Sequence, residues 1–111
     1  MIPTHTLDQL LDVARNAHEG EARMLAENLK NARAAEDRLV LLVNFRHDYE
    51  GRFRERAAVG FAPGEWRNFN VFLAQLNQAI DAQRAELATR RQAAEQRRAK
   101  YNMTGVRLRS Y

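Results

Sequence analysis

The chain has 111 residues, a length that suits one small domain with a thin core. It contains two prolines, five glycines and no cysteine, which is typical of long helices and excludes disulfides and thiolate chemistry. Eighteen basic and fourteen acidic residues give a net charge of +4, which is ordinary for a helical surface and identifies no partner by itself.

The N-terminal half is predicted to form one long helix that starts near Pro3 and covers about residues 5–58. No proline lies inside this range, and only Gly20 and Gly51 interrupt it. Each glycine costs about 1 kcal/mol relative to alanine, which a long helix tolerates.

A turn is predicted at residues 59–64, where two glycines and a proline fall within six positions. A second helix is predicted over about residues 64–103. Residues 104–111 lose the Ala/Glu/Gln character, so this stretch is expected to be a frayed or non-native tail. The predicted fold class is all-α, with two long helices forming a single antiparallel coiled-coil domain over residues 1–103.

Folding the chain at this turn brings the apolar positions of both helices into one register. The predicted pairs are Phe53 opposite Phe69, Tyr49 opposite Leu73, Leu42 opposite Ile80, Ala35 opposite Leu87 and Asn28 opposite Ala94. This agreement favours a hairpin within one chain, although two chains can exchange helices in a swapped dimer.

The same register leaves about the first seventeen residues without a partner on the second helix. Leu7, Leu10, Leu11 and Val13 lie in this segment. An isolated helix of this length is marginal in water, so the segment is expected either to dock on another surface or to fray.

Side chains that could bind a metal or take part in catalysis are scattered along the sequence. His5, His18 and His47 do not share a helix face at metal-ligand spacing, and carboxylates such as Glu36 and Asp37 point to different faces. We therefore predict that the chain is not an enzyme and holds no metal or cofactor. The basic residues of the second helix leave nucleic-acid binding as a distant alternative; they are Arg84, Arg90, Arg91, Arg97, Arg98, Lys100, Arg107 and Arg109.

The positions beside the turn carry more apolar surface than one two-helix seam can bury. Two stripes at helical spacing are expected to form one exposed patch, and they consist of Leu42, Phe45 and Tyr49 on the first helix and Phe72, Leu76 and Ala79 on the second. The alternative is that these side chains widen the core or close a homodimer.

Residues about 7 to 90 resemble the FliJ family of flagellar type III export proteins. The resemblance is carried by Ala35-Glu36, Leu39, Leu42-Val43, Phe45, Tyr49, Gly60-Phe61, Trp66, Asn68-Phe69, Phe72-Leu73, Leu76 and Ala79-Ile80. It implies an antiparallel coiled coil, similar to the rotor stalk of rotary ATPases, that sits in the ring of the FliI ATPase. It also implies binding to the export gate protein FlhA and to export chaperones, at the cytoplasmic face of the inner membrane.

In that family, the surface that binds the export gate lies at positions matching eight residues of this sequence. They are Arg38, Leu42, Phe45, Tyr49, Phe72, Leu76, Ala79 and Gln83. A stalk protein of a virulence injectisome and a purely structural coiled coil that oligomerises remain as alternatives. No segment approaches the roughly 20 apolar residues needed to span a bilayer, and no secretion signal precedes the first helix, so a cytoplasmic protein is expected.

Overall fold

Two α-helices make up nearly all of residues 3–111, the part of the chain described by the structure, which is a computed structural model. Helix α1 is Thr4–Val59 and helix α2 is Pro63–Arg109. No strand occurs in this part of the chain. The predicted all-α helical hairpin is confirmed, and its two long helices begin and end close to the predicted residues except at the end of α2.

Hydrogen bonds cap the ends of both helices at the turn. Gly60 has a φ of +109°, a left-handed conformation that glycine adopts without strain, and its N–H donates to the Arg56 carbonyl at 3.0 Å. Pro63 follows at the first position of α2, where its missing N–H is harmless. The Ala62 N–H donates to Oε2 of Glu65 at 3.3 Å, and the Ala62 carbonyl accepts the Glu65 N–H at 3.0 Å. Both helix ends are thus satisfied within a very short connection.

An ion pair ties the end of α1 to the start of α2. Nε of Arg56 donates to Oε1 of Glu65 at 2.6 Å. This hydrogen bond holds the pKa of the Glu65 carboxyl below its ordinary value of 4.5 and raises the pKa of Arg56. Because both side chains are partly exposed, solvent screening limits the contribution of the pair to stability.

The chain divides into two compact units, which we name the turn unit and the terminal unit. The turn unit is Ala34–Ala88, and the terminal unit joins the part of α1 up to Arg33 to Thr89–Tyr111. In the turn unit, the buried core is small and aliphatic; it consists of Ala35, Leu76, Ile80 and Leu87. The rings of Phe53 and Phe69 lie 5.6 Å apart, which confirms the predicted pairing of these two residues.

The seam of the terminal unit is lined mainly by small residues. Ala14, Leu25 and Ala94 are buried there. Polar and aromatic contacts add specificity: His18 Nδ1 lies 2.8 Å from Oγ1 of Thr104, the His18 ring stacks on Tyr101 at 4.5 Å, and Arg97 Nη1 lies 3.5 Å from Oε2 of Glu21.

Two predictions for the chain ends are wrong. Helix α2 continues through residues 104–109, so the expected fraying after Met103 does not occur. Gly105 is buried against His18, and Ala14 is buried within the segment that was expected to lack a partner. Because Thr104 and Gly105 are small, α2 can pack closely on α1, and these contacts offset the low helix propensity of both residues.

No helix in residues 3–111 contains an apolar stretch long enough to cross a membrane.

Candidate protein-binding surface

Three aromatic side chains of the turn unit form a surface cluster. Phe45 and Tyr49 lie one helical turn apart on α1, with ring centroids separated by 6.4 Å. Phe72 of α2 packs against both rings, at 6.1 Å from Phe45 in an edge-on arrangement and at 4.7 Å from Tyr49. Such offset and edge-on contacts are the arrangements that aromatic rings prefer. We name Phe45, Tyr49 and Phe72 the aromatic patch.

A second group of rings supports the aromatic patch on the side nearest the turn. Phe69 lies 5.2 Å from Tyr49, and Phe61 of the connecting segment lies 5.5 Å from Phe69. Phe53 contacts Phe61 at 5.2 Å. Because these rings link both helices and the connecting segment, the aromatic patch rests on a continuous apolar base. A surface held in this way loses little side-chain entropy on binding.

The aromatic patch remains accessible to a partner. Phe45 is 49% exposed and Phe72 is 39% exposed, while Tyr49 is half-buried between them. Leu41, one helical turn before Phe45, is also largely exposed and extends the apolar surface along α1. The sequence analysis did not assign Leu41 to the site. Its spacing of four residues from Phe45, which puts both side chains on one face of α1, is the signal that could have identified it. Exposed rings of this size, grouped together, are typical of protein contact sites.

The structure places the other predicted site residues at different depths. Leu76 was expected in the exposed stripe, and this is wrong, because it is only 7% exposed and belongs to the core. Leu42 is half-buried, whereas Arg38 and Ala79 are exposed. The side-chain amide of Gln83 donates to the Ala35 carbonyl at 3.0 Å. All eight predicted residues therefore belong to the turn unit, with the aromatic patch and Leu41 as its accessible apolar part.

Trp66 lies outside this cluster. It is exposed, and among the described residues its ring stacks on no other aromatic ring. Its backbone carbonyl accepts a hydrogen bond from Nδ2 of Asn70 at 2.9 Å. The indole is therefore not part of the aromatic base that supports the patch.

The described residues do not bring three or more histidine and carboxylate side chains together at a spacing that suits a metal ion. The aromatic patch consists of three rings, two of which are exposed. What this arrangement can do is bury apolar area against a complementary surface.

Comparison with known proteins identifies one family that matches this chain. The family model described as "Flagellar FliJ protein" matches residues 4–111. The flagellar FliJ protein of Salmonella typhi is 28% identical over 81 residues, which is 73% of this chain and 55% of that protein. The flagellar FliJ protein of Escherichia coli (strain K12) is also 28% identical over 81 residues, with the same coverage. The chain thus spans about half the length of these relatives. No solved structure matches it.

Proposed function

Because this chain belongs to the FliJ family of flagellar proteins, we propose that it is a protein-binding component of the flagellar type III export apparatus. It acts by surface contact and carries out no reaction. Its partners in this proposal are the export gate protein FlhA, the ATPase FliI and export chaperones. The proposed site of action is the cytoplasmic face of the inner membrane, where the export gate is located.

The observation that carries the proposal is the aromatic patch. Two independent lines lead to it: the resemblance assigns gate binding to Phe45, Tyr49 and Phe72, and the same rings are grouped and accessible in the structure. Aromatic side chains that are held rigidly and lose their water on association contribute most of the binding energy at many protein interfaces. We therefore assign gate binding to the aromatic patch and to Leu41.

The terminal unit takes the second role in the proposal. The resemblance to the family implies that the arms that carry the two chain ends face the FliI ring, and we assign this contact to the terminal unit. Its seam is specified by the contacts of His18 with Tyr101 and Thr104. A stalk that stands in a ring must keep its two helices in fixed register, and these contacts supply that property.

The test is isothermal titration of the chain with the cytoplasmic domain of an FlhA-type gate protein. The double variant Phe45→Ala with Phe72→Ala is expected to weaken binding by about tenfold or more. Leu76 is unsuitable for this test, because its truncation would damage the core.

The matched control is the double variant Val40→Ala with Val71→Ala. Both valines are about as exposed as Phe45, and their positions on the helices face away from the seam. This control is expected to bind like the unmodified chain, and circular dichroism must show equal helicity for all variants. Absence of binding by the unmodified chain, or an equal loss in both double variants, contradicts the proposal. If light scattering then shows a dimer that only the Phe45/Phe72 variant abolishes, the aromatic patch joins two copies of this chain instead.

A further inference from the structure

The positive charge of the chain is concentrated in the terminal unit. This unit holds eleven basic and six acidic residues, whereas the turn unit holds seven basic and eight acidic residues. Within the terminal unit, the segment Thr89–Tyr111 contributes seven of the basic residues and only one acidic residue, Glu95. The net charge of +4 is therefore the sum over one cationic unit and one nearly neutral unit.

Some basic side chains of this segment form ion pairs within residues 3–111, and others do not. Arg97 pairs with Glu21, and Arg98 pairs with Glu95 at 3.5 Å. Lys100 and Arg107 are exposed and form no ion pair with any residue that the structure describes. Two cations near the end of α2 are thus available to an anionic partner.

Exposed apolar side chains lie between these cations. Met103 is 61% exposed and Val106 is 56% exposed. Ala99, Met103 and Val106 fall at positions i, i+4 and i+7 of α2, so they form one stripe on the helix. This stripe lies opposite the buried Ala94 and Gly105, and therefore faces away from α1. We name Ala99, Lys100, Met103, Val106 and Arg107 the outer stripe; Arg107 lies at its edge, where it also lines a small pocket with Leu10 and Val13 of α1.

We propose that the outer stripe binds the surface of a membrane rich in anionic phospholipid. The outer stripe places exposed apolar side chains next to basic ones on one helix surface, and a membrane interface can take up both kinds of side chain. The ammonium and guanidinium groups attract anionic headgroups, while Met103 and Val106 enter the boundary of the acyl chains.

Two other anionic partners fit the outer stripe less well. Nucleic acid is bound by cations together with aromatic platforms for the bases, and the outer stripe contains no aromatic residue. An acidic protein helix is best held in a groove, whereas the outer stripe lies on the exposed face of α2 opposite the buried Ala94 and Gly105. The proposal is independent of gate binding, which is assigned to the turn unit; because the terminal unit is also assigned to the FliI ring, it concerns the chain when it is outside that ring.

The experiment is co-sedimentation of the full chain with lipid vesicles at low salt. One set of vesicles contains phosphatidylcholine alone, and in the other about a third of the lipid is phosphatidylglycerol. Binding to the anionic vesicles is expected to be at least about tenfold stronger and to be lost at about 0.5 M NaCl. Lys100→Glu with Arg107→Glu is expected to reduce binding to the level seen with phosphatidylcholine. Met103→Ser with Val106→Ser is expected to weaken it several-fold while preserving the preference for anionic lipid.

Matched controls lie in the turn unit. Arg54→Glu with Arg67→Glu makes the same change of net charge at two exposed arginines, and Val71→Ser removes a valine that is 53% exposed. Both controls are expected to sediment like the unmodified chain. Equal binding to both kinds of vesicle, or an equal loss in the charge control, overturns the proposal. So does an unchanged affinity of the Met103/Val106 variant, or a chain that binds single-stranded RNA but no vesicle. Titration with the gate domain tests the proposed function separately, because none of these outer-stripe variants alters the aromatic patch.

Discussion

His18 donates the hydrogen on Nδ1 to Oγ1 of Thr104, across a distance of 2.8 Å. The direction follows from the hydroxyl of Thr104, whose single hydrogen is given to the Tyr101 carbonyl at 2.9 Å. Oγ1 therefore acts as the acceptor toward the imidazole, and the ring carries its hydrogen on Nδ1. Since the same ring stacks on Tyr101, His18 is held by two neighbouring turns of α2. Between buried alanines, this contact fixes the register of the terminal unit.

Thr104→Val is expected to lower the free energy of unfolding by about 1 kcal/mol, because it keeps the shape of the side chain but leaves the His18 N–H without an acceptor. Urea denaturation of Thr104→Val, His18→Phe and the double variant measures the coupling between the two residues, which is expected to be about 1 kcal/mol. Strictly additive single effects would show that the hydrogen bond contributes nothing to stability.

Replacement of Gly105 by alanine is expected to destabilise the chain by about 1 kcal/mol, although alanine is the better helix former. A Cβ at this position would stand 3.1 Å from Cε1 of His18. The imidazole cannot move aside easily, because Tyr101 and Thr104 hold it. Denaturation curves at equal protein concentration measure the effect.

Gly51 provides the matched comparison. A Cβ there would meet only the tip of Arg54, at 4.0 Å. Gly51→Ala is therefore expected to stabilise the chain by about 0.5 to 1 kcal/mol, through helix propensity and reduced entropy of the unfolded chain. If both alanine variants shift stability in the same direction, the close packing of Gly105 on His18 is not decisive.

Leu76 and Phe72 differ in depth within the turn unit, because Leu76 belongs to the core and Phe72 is exposed. Leu76→Ala is expected to cost about 2 to 4 kcal/mol, because it opens a cavity beside Ile80, which is fully buried. Phe72→Ala is expected to cost about 1 kcal/mol, since this ring already contacts water. Thermal unfolding followed by circular dichroism distinguishes the two. Similar losses would mean that Phe72 is a core residue and that the aromatic patch is smaller than described.

The seam near the turn was predictable because its signal is local and repeated. Phe53 on α1 and Phe69 and Ile80 on α2 belong to apolar positions that alternate at three and four residues on both sides of one strong turn. The positive φ of Gly60 fits the same pattern, because glycine punctuation marks the end of a helix. The position of the turn and this periodicity together predict the pairing of Phe53 with Phe69, which the structure contains.

The end of α2 and the depth of Leu76 were not predictable in this way. Residues 104 and 105 are poor helix formers, and the contact that stabilises them joins residues 86 positions apart in the sequence. Leu76 lies between two apolar columns of α2, one through Phe72 and one through Ile80. Which column turns inward depends on how the helices rotate against each other, and a heptad pattern with several apolar columns leaves that rotation open.

The ion pair between Arg56 and Glu65 predicts a pH-dependent contribution to stability. The hydrogen bond from Arg56 lowers the pKa of Glu65 in the folded chain below 4.5, the ordinary value that the carboxyl has when the chain is unfolded. A lowered pKa means that the folded state favours the ionised carboxylate, so the stabilisation is complete above pH 4.5 and is lost as the pH falls through the folded-state value.

Glu65→Gln is therefore expected to be less stable than the unmodified chain at pH 7, and the difference is expected to shrink as the pH drops below 4.5. Glutamine keeps an oxygen that can still accept the Ala62 N–H, so the variant removes the charge and preserves the cap. Added salt is expected to reduce the difference at pH 7, since both side chains are partly exposed. Asp81→Asn is the control, because Asp81 forms a looser surface pair with Arg84 at 3.5 Å and is more exposed than Glu65. A Glu65→Gln effect that stays constant from pH 7 to pH 3 would mean that capping, rather than the charge of Glu65, holds the turn together.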